Sequence, residues 1–388
     1  MYIKKILLFI SITGLVILSI FSYFVYVTMF VSNTNFNNEI AYVYVYTDQT
    51  FEELKQDLYP VLKNVNSFER LANRKGYDKT LKSGKFAIKK GMNNNQIINT
   101  LRSSKLTVDV IFNNIDNEYE LAGKISKQIE ADSLSLLNSF KDLDFFKSKG
   151  FNKYDYLSIF LPNSYNFYWD TDANSFRSRM LKEYNLFWND SRMGKLKQIG
   201  LNQSQVMILA SIVTQESKMK SELRTIAGVY MNRLNNNWLL QADPTVKYAA
   251  YQLPEYENEI IRRILYKHLK IDSKFNTYKY KGLPPGLISV PNISSIDAVL
   301  NFEKHKYFYF SADPNNIGYH NFSRTLYAFC LQSWTFSPIA VTDKTLPPLE
   351  IRFSLSFFAV PEWKINISSC LSKLLSDGNS IPFLNVPG

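Results

Sequence analysis

Glu216 attracts attention first, because it stands where a solvated glutamate is not expected. The run Gln205-Val206-Met207-Ile208-Leu209-Ala210-Ser211-Ile212-Val213-Thr214-Gln215-Glu216 reads as a helix with Ser204 as its N-cap. Ile208, Leu209, Ile212 and Val213 make an apolar stripe, and positions 215 and 216 continue it. A carboxyl carried toward a core loses the solvation of its charged form, so its pKa rises. Held protonated near neutrality, it can act as a general acid. The other reading is that the helix ends here and Glu216 bends to water beside Lys218 and Lys220. The helix alone leaves both open.

The neighbouring segments supply polar groups. Leu223 to Leu234 reads as a second helix with Ile226, Val229, Met231 and Leu234 apolar. Asn232 and Arg233, near its end, either reach into a groove or simply close the helix. Leu240 to Val246 carries Gln241 and Asp243 and reads as an irregular polar strip, with Pro244 holding Asp243 extended. Gly282-Leu283-Pro284-Pro285-Gly286 is a stiff loop. Such loops often line clefts, and each could equally be a structural turn. Three histidines and two cysteines, Cys330 and Cys370, show neither metal-ligand spacing nor a disulfide framework. No metal or other cofactor is therefore expected, nor a His-based triad.

These segments sit in a chain of 388 residues, enough for two or three domains with real cores. Residues 1–5 form a short stub with Lys4 and Lys5, and Ile6 to Val31 is free of charge. A helix of that length covers about 39 Å, enough to cross a bilayer core with tilt. Its bulky end, Tyr26-Val27-Thr28-Met29-Phe30-Val31, does not resemble a cleavage site, which favours an uncleaved single-pass anchor. Lys4 and Lys5 place the N-terminus in the cytoplasm and all that follows on the extracytoplasmic (periplasmic) face of the cytoplasmic (inner) membrane. That placement argues against nucleotides and DNA as substrates. The formal charge of +11 alone would suggest nucleic acid. The basic residues are scattered rather than clustered, which fits a solvated surface with at most weak attraction to an anionic polymer, so no nucleic-acid partner is expected.

Residues 32–41 are Asn-rich and read as a linker. Ala41 to Tyr46 is a strand signal, and Thr50 with Glu53 makes a capping box for a helix. Ser83 to Ile88 reads as a turn into a strand, and a short helix ends near Leu101. Together these form a strand–helix–helix–strand–helix module. Thr107 to Phe112 alternates as a strand, Tyr119 to Phe146 is helical, and Leu161 to Phe167 reads as an aromatic loop before an amphipathic helix from Ala173 to Asn189. After Tyr327 the composition shifts: the last 61 residues hold six of the 14 prolines and both cysteines, with no clear period. The fold class is α+β.

The chain resembles the endolytic murein transglycosylases, or YceG-like family. The resemblance lies in Leu209-Ala210-Ser211-Ile212-Val213-x-x-Glu216-Ser217, Ala227 to Leu234, Leu240 to Val246, Phe275 to Tyr278, and Gly282 to Gly286. Tyr307 to Ala312 and His320-Asn321-Phe322-Ser323-Arg324-Thr325 complete it. The resemblance implies a transmembrane helix at 6–31, a linker and small LysM-like α/β subdomain at 32–105, and a mostly helical catalytic region with short β elements at 106–327. A divergent tail occupies 328–388. It implies peptidoglycan glycan strands as substrate, cut internally at the MurNAc-β-1,4-GlcNAc bond to leave 1,6-anhydroMurNAc ends. Glu216 would be catalytic, and Asn232, Arg233, Gln241, Asp243, Tyr278 and Ser323 would line the cleft. It further implies trimming or termination of nascent strands beside peptidoglycan synthases. The competing reading is a non-catalytic, membrane-tethered peptidoglycan-binding scaffold.

Overall fold

The computed structural model describes residues 2–103, 105–256, 259–326 and 328–329. The tail expected at 328–388, both cysteines included, lies outside the described residues beyond Phe329. Contacts divide the chain into two compact units that interleave in sequence. The first comprises Met1–Phe112, Tyr119–Lys141 and Asn163–Ser178. The second comprises Asn113–Glu118, Asp142–Pro162 and the described residues from Arg179 onward.

The first unit opens with α1 (Tyr2–Phe30), which includes both lysines of the stub. It is long and apolar enough to cross a membrane, and none of its most apolar stretch is buried. Next come β1 (Ile40–Val45), α2 (Phe51–Leu58), α3 (Val65–Arg74), β2 (Gly84–Lys89) and α4 (Asn94–Ser103). β1 and β2 pair antiparallel, from Ile40 opposite Lys89 to Val45 opposite Gly84. Val43, Val45, Phe86 and Ile88 turn inward onto Leu54, Phe68, Ile97 and Leu101. The capping box read from Thr50 and Glu53 is present. Within the Asn-rich stretch read as linker, Asn33 and Thr34 are buried. The Asn33 amide donates to Asn64 O (2.9 Å) and Asn94 Oδ1 (2.6 Å), as a buried polar group requires.

β3 (Thr107–Phe112), α5 (Glu118–Ile125), α6 (Ser133–Phe140) and β4 (Asn163–Tyr168) follow. β4 corrects the reading of Leu161 to Phe167 as a loop: it pairs antiparallel with β3, Thr107 opposite Tyr168 and Phe112 opposite Asn163. The ladder and the inward Tyr165 and Phe167 outweigh the poor strand propensity of Asn and Ser.

The second unit is mostly helical. It contains α7 (Leu143–Ser148), most of α8 (Ala173–Phe187, which begins in the first unit), α9 (Asp190–Ile199), α10 (Gln203–Glu216) and α11 (Leu223–Asn235). Then come α12 (Asp243–Tyr251), the single turn α13 (Tyr266–Leu269), α14 (Ile293–Leu300) and the antiparallel hairpin of β5 (Tyr309–Ala312) and β6 (His320–Ser323). α10, α11 and α14 pack on one another. Every residue of α10 from Val206 to Val213 is buried, so this helix is enclosed on all sides rather than along one stripe. The architecture is α+β.

Candidate active site

Glu216 is the last residue of α10. The helix starts two residues earlier than Ser204 as cap would give: Asn202 is the N-cap and makes a reciprocal capping box with Gln205. Ser204 instead donates to Asp155 Oδ2 at 3.1 Å. Toward the other end, Ser211 Oγ accepts from Ile288 N (3.2 Å) and Thr214 Oγ1 accepts from Asn292 N (3.1 Å). The helix is thereby held on the segment leading into α14, and its terminus has little freedom.

The Glu216 side chain is half-buried and faces α11. The Tyr230 hydroxyl donates to Glu216 Oε1 at 2.5 Å. Burial pushes the Glu216 carboxyl up to about 7, helped by the nearby charge of Asp243 and opposed by the Tyr230 hydrogen bond and the Arg233 guanidinium. The helix C-terminus, the negative end of the backbone dipole, acts in the same upward direction. Tyr230 itself is 1% exposed, and burial raises its phenol well above the usual value, so it stays a donor. Its ring meets Phe310 of β5 edge-on, with centroids 6.0 Å apart.

Arg233 is buried, and Nε donates to Phe308 O at 2.8 Å while the guanidinium also reaches Leu240 O. Tyr278 donates to Asp243 Oδ1 at 2.5 Å. Asp243 as a residue is exposed, yet its carboxyl is desolvated enough by its neighbours to be pushed up, an effect the Tyr278 hydroxyl opposes. Glu216, Tyr230, Arg233, Asp243 and Tyr278 feel one another's charges and make a single electrostatic cluster. A carboxyl that is half protonated near neutrality, beside a fixed donor and a buried cation, can give and retake one proton.

A sequence model of the YceG-like family matches residues 43–330. The chain belongs to the YceG-like family. It is 36% identical over 146 residues to the endolytic murein transglycosylase of Bacillus subtilis strain 168, covering 38% of each chain. It is 30% identical over 156 residues to that of Streptococcus pneumoniae R6, covering 39% of this chain and 27% of the relative. The aligned region thus spans well under half the length of these curated relatives. A YceG-like protein of Listeria monocytogenes with a solved crystal structure superposes with a TM-score of 0.50 at 26% identity, covering 75% of this chain and 97% of that one.

The structure gives the local contacts of the remaining residues expected to line the cleft in this YceG-like chain. Asn232 donates to His305 O (2.9 Å) and Tyr307 O (2.8 Å), tying down the segment before β5. Gln241 takes a positive φ of 50° and its backbone N–H bonds Thr277 O at 3.1 Å. That kink delivers the chain to α12, whose first residue is Asp243. Pro244 lies in the first turn of α12 rather than in an extended strip, since a proline there costs no hydrogen bond. Ser323 is buried opposite Tyr309, and its hydroxyl has no partner among the described residues.

Sequence reasoning missed Tyr230, which reads as an ordinary core aromatic. Only a hydroxyl on the inward face of an apolar helix hinted that it needed a polar partner. Glu222 was missed as well. It sits at the start of α11 with 8% exposure and accepts from His320 N (2.8 Å), its other oxygen lying 3.1 Å from His320 Nδ1. This pair ties the loop after Glu216 to β6.

Proposed function

We propose that this protein is an endolytic lytic transglycosylase of peptidoglycan, anchored to the cytoplasmic membrane by α1. The observation that carries the reading is Glu216, a carboxyl raised to about 7 with Tyr230 hydrogen-bonded to it. The curated relatives named endolytic murein transglycosylases support it. Glu216 donates its proton to the oxygen between MurNAc C1 and GlcNAc, and that C–O bond breaks. The resulting carboxylate takes the proton of the muramic C6 hydroxyl, whose oxygen closes on C1 to form the 1,6-anhydro ring. The proton that left Glu216 has then been replaced, and no water is consumed. Ordinary glycosidases need a second carboxylate to activate water or to act as nucleophile. Here the attacking hydroxyl is part of the substrate, and proximity supplies what a second base would. Arg233, Asp243 and Tyr278 position the strand and set the charge around the acid. Residues 42–105 serve as a LysM-like module, and cutting nascent strands beside peptidoglycan synthases is the physiological setting.

Glu216→Gln keeps the shape and hydrogen-bonding capacity and removes the transferable proton. Mass spectrometry of sacculus digests should show internal cuts ending in anhydro-muramic acid for the parent, with their rate of formation falling roughly a thousandfold in the variant. Equal digestion by the two, or reducing ends in place of anhydro ends, would sink the reading.

A further inference from the structure

The first unit carries an aromatic surface that the proposed chemistry leaves unused. β1 alternates, so Val43 and Val45 face the core while Tyr42 and Tyr44 face the other way, and Tyr46 continues that row. The three tyrosines are 53%, 38% and 52% exposed. Trp169, which follows β4, stands edge-on to two of them: 4.9 Å from Tyr44 at 62° and 5.0 Å from Tyr46 at 80°. Backbone bonds fix it there. Glu130 N donates to Trp169 O at 2.7 Å, and the Glu130 carboxylate accepts from Thr47 N (2.6 Å) and Thr47 Oγ1 (2.8 Å) just beyond Tyr46. Lys85, opposite Tyr44 on β2, holds its ammonium 4.4 Å from the Tyr42 ring centre and 5.6 Å from that of Tyr44.

Soluble surfaces seldom keep a contiguous aromatic row that binds nothing. Alternate residues of a strand lie about 7 Å apart, so the three tyrosines span about 14 Å, room for more than one sugar ring. Each ring presents a flat apolar face with a hydroxyl at its rim. A pyranose is the complement: an apolar C–H face bordered by hydroxyls. Lys85 adds the charge that suits the carboxylates on muramic acid and its peptide. A bilayer headgroup layer also accepts Tyr, Trp and Lys, but it asks for no fixed ring geometry. The locking of Trp169 through Glu130 favours a ligand with a defined shape.

We propose that Tyr42, Tyr44, Tyr46 and Trp169, with Lys85, form a stacking platform for the sugar faces of a peptidoglycan strand, distinct from the acid at Glu216. The proposal rests on peptidoglycan being the substrate, and its test separates the two ideas. The full chain carrying Glu216→Gln, in detergent, is mixed with purified sacculi and sedimented, so that binding is read without cutting. Adding Tyr42→Ala and Tyr46→Ala, both solvent-exposed and outside the core, should weaken sacculus binding about tenfold. Tyr46→Phe should keep most of it. Melting curves of the alanine variant should match the parent, and Trp169→Ala, which removes the ring and keeps the backbone carbonyl that Glu130 N–H holds, serves as a second probe. The fluorescence of Trp169, taken as the difference between the chain and its Trp169→Phe variant, should be unquenched in nanodiscs with headgroup-labelled quencher lipid.

Unchanged sedimentation of the alanine variant overturns the platform, as does quenching of Trp169 by lipid. If the Glu216→Gln chain fails to bind sacculi that the parent digests, the platform falls and the enzyme stands. Sacculi bound through the tyrosines but never cut by the parent give the reverse result.

Discussion

Removing one hydroxyl tests what keeps Glu216 near neutrality. In Tyr230→Phe the burial that raises the carboxyl remains, while the hydrogen bond that favours its charged form is gone. The Glu216 pKa should therefore climb above about 7. The first step needs the protonated acid, so the rate holds below that pKa and falls as pH rises through it. The alkaline limb of kcat/KM should accordingly move to higher pH in Tyr230→Phe. Asp243→Asn removes a charge that pushes the same carboxyl up, so its limb should move to lower pH. Opposite displacements from two variants are hard to produce by generic damage. A pH–rate profile of parent and both variants checks this, and limbs that coincide would show that Glu216 is not the titrating group.

Packing between elements can be tested at Gly228, halfway along α11. A Cβ there would lie 2.4 Å from Glu303 O and 2.6 Å from His305 Nε2. The strap from Glu303 to Tyr307 cannot easily retreat: Glu303 N bonds Arg224 O (3.0 Å), Thr225 bonds Glu303 Oε2 (2.6 Å), and Asn232 holds His305 O and Tyr307 O. Helix propensity alone would make Gly228→Ala stabilising by about 1 kcal/mol. Overpacking should reverse the sign and cost about 1–3 kcal/mol, read as a Tm lowered by several degrees. A higher Tm would mean that the strap does not lie against α11. This contact was invisible in the sequence because it joins residues far apart in the chain. The same reason explains other differences. The β1–α2–α3–β2–α4 series was legible because alternation, a capping box and turn residues are local signals. β4 was not, because its strand character comes from β3. Asn202 and Ser204 are both good caps, and what decides between them is the reach of Ser204 to Asp155. Helical period drew attention to Glu216 without deciding its role, whereas Tyr230 joined it only once two helices were laid side by side.

On the scale of the whole molecule, the last turn of the exposed apolar helix joins the folded unit behind it through the packing of Met29 on the core and through hydrogen bonds. Every side chain of α1 toward its start is exposed and mostly apolar, a pattern that lipid satisfies and water does not. Its last turn is different. Thr28 is buried, and its carbonyl, one of those left unpaired at a helix end, accepts from Asn94 Nδ2 at 2.8 Å. Asn94 is 1% exposed, and its amide also bonds Ser67 Oγ (3.0 Å) while its oxygen receives Asn33 (2.6 Å). A chain started at Ser32 should therefore leave the membrane fraction and also lose stability, since one buried N–H of Asn94 is left without its acceptor, at about 1–3 kcal/mol. A chain started at Val25 keeps Thr28 and the final turn, so it should be released from the membrane with the stability of the first unit intact. Fractionation and thermal melting of the two shortened chains separate anchoring from folding. If both melt alike, the Thr28–Asn94 bond contributes nothing; if either stays with the membrane, α1 is not what holds the protein there.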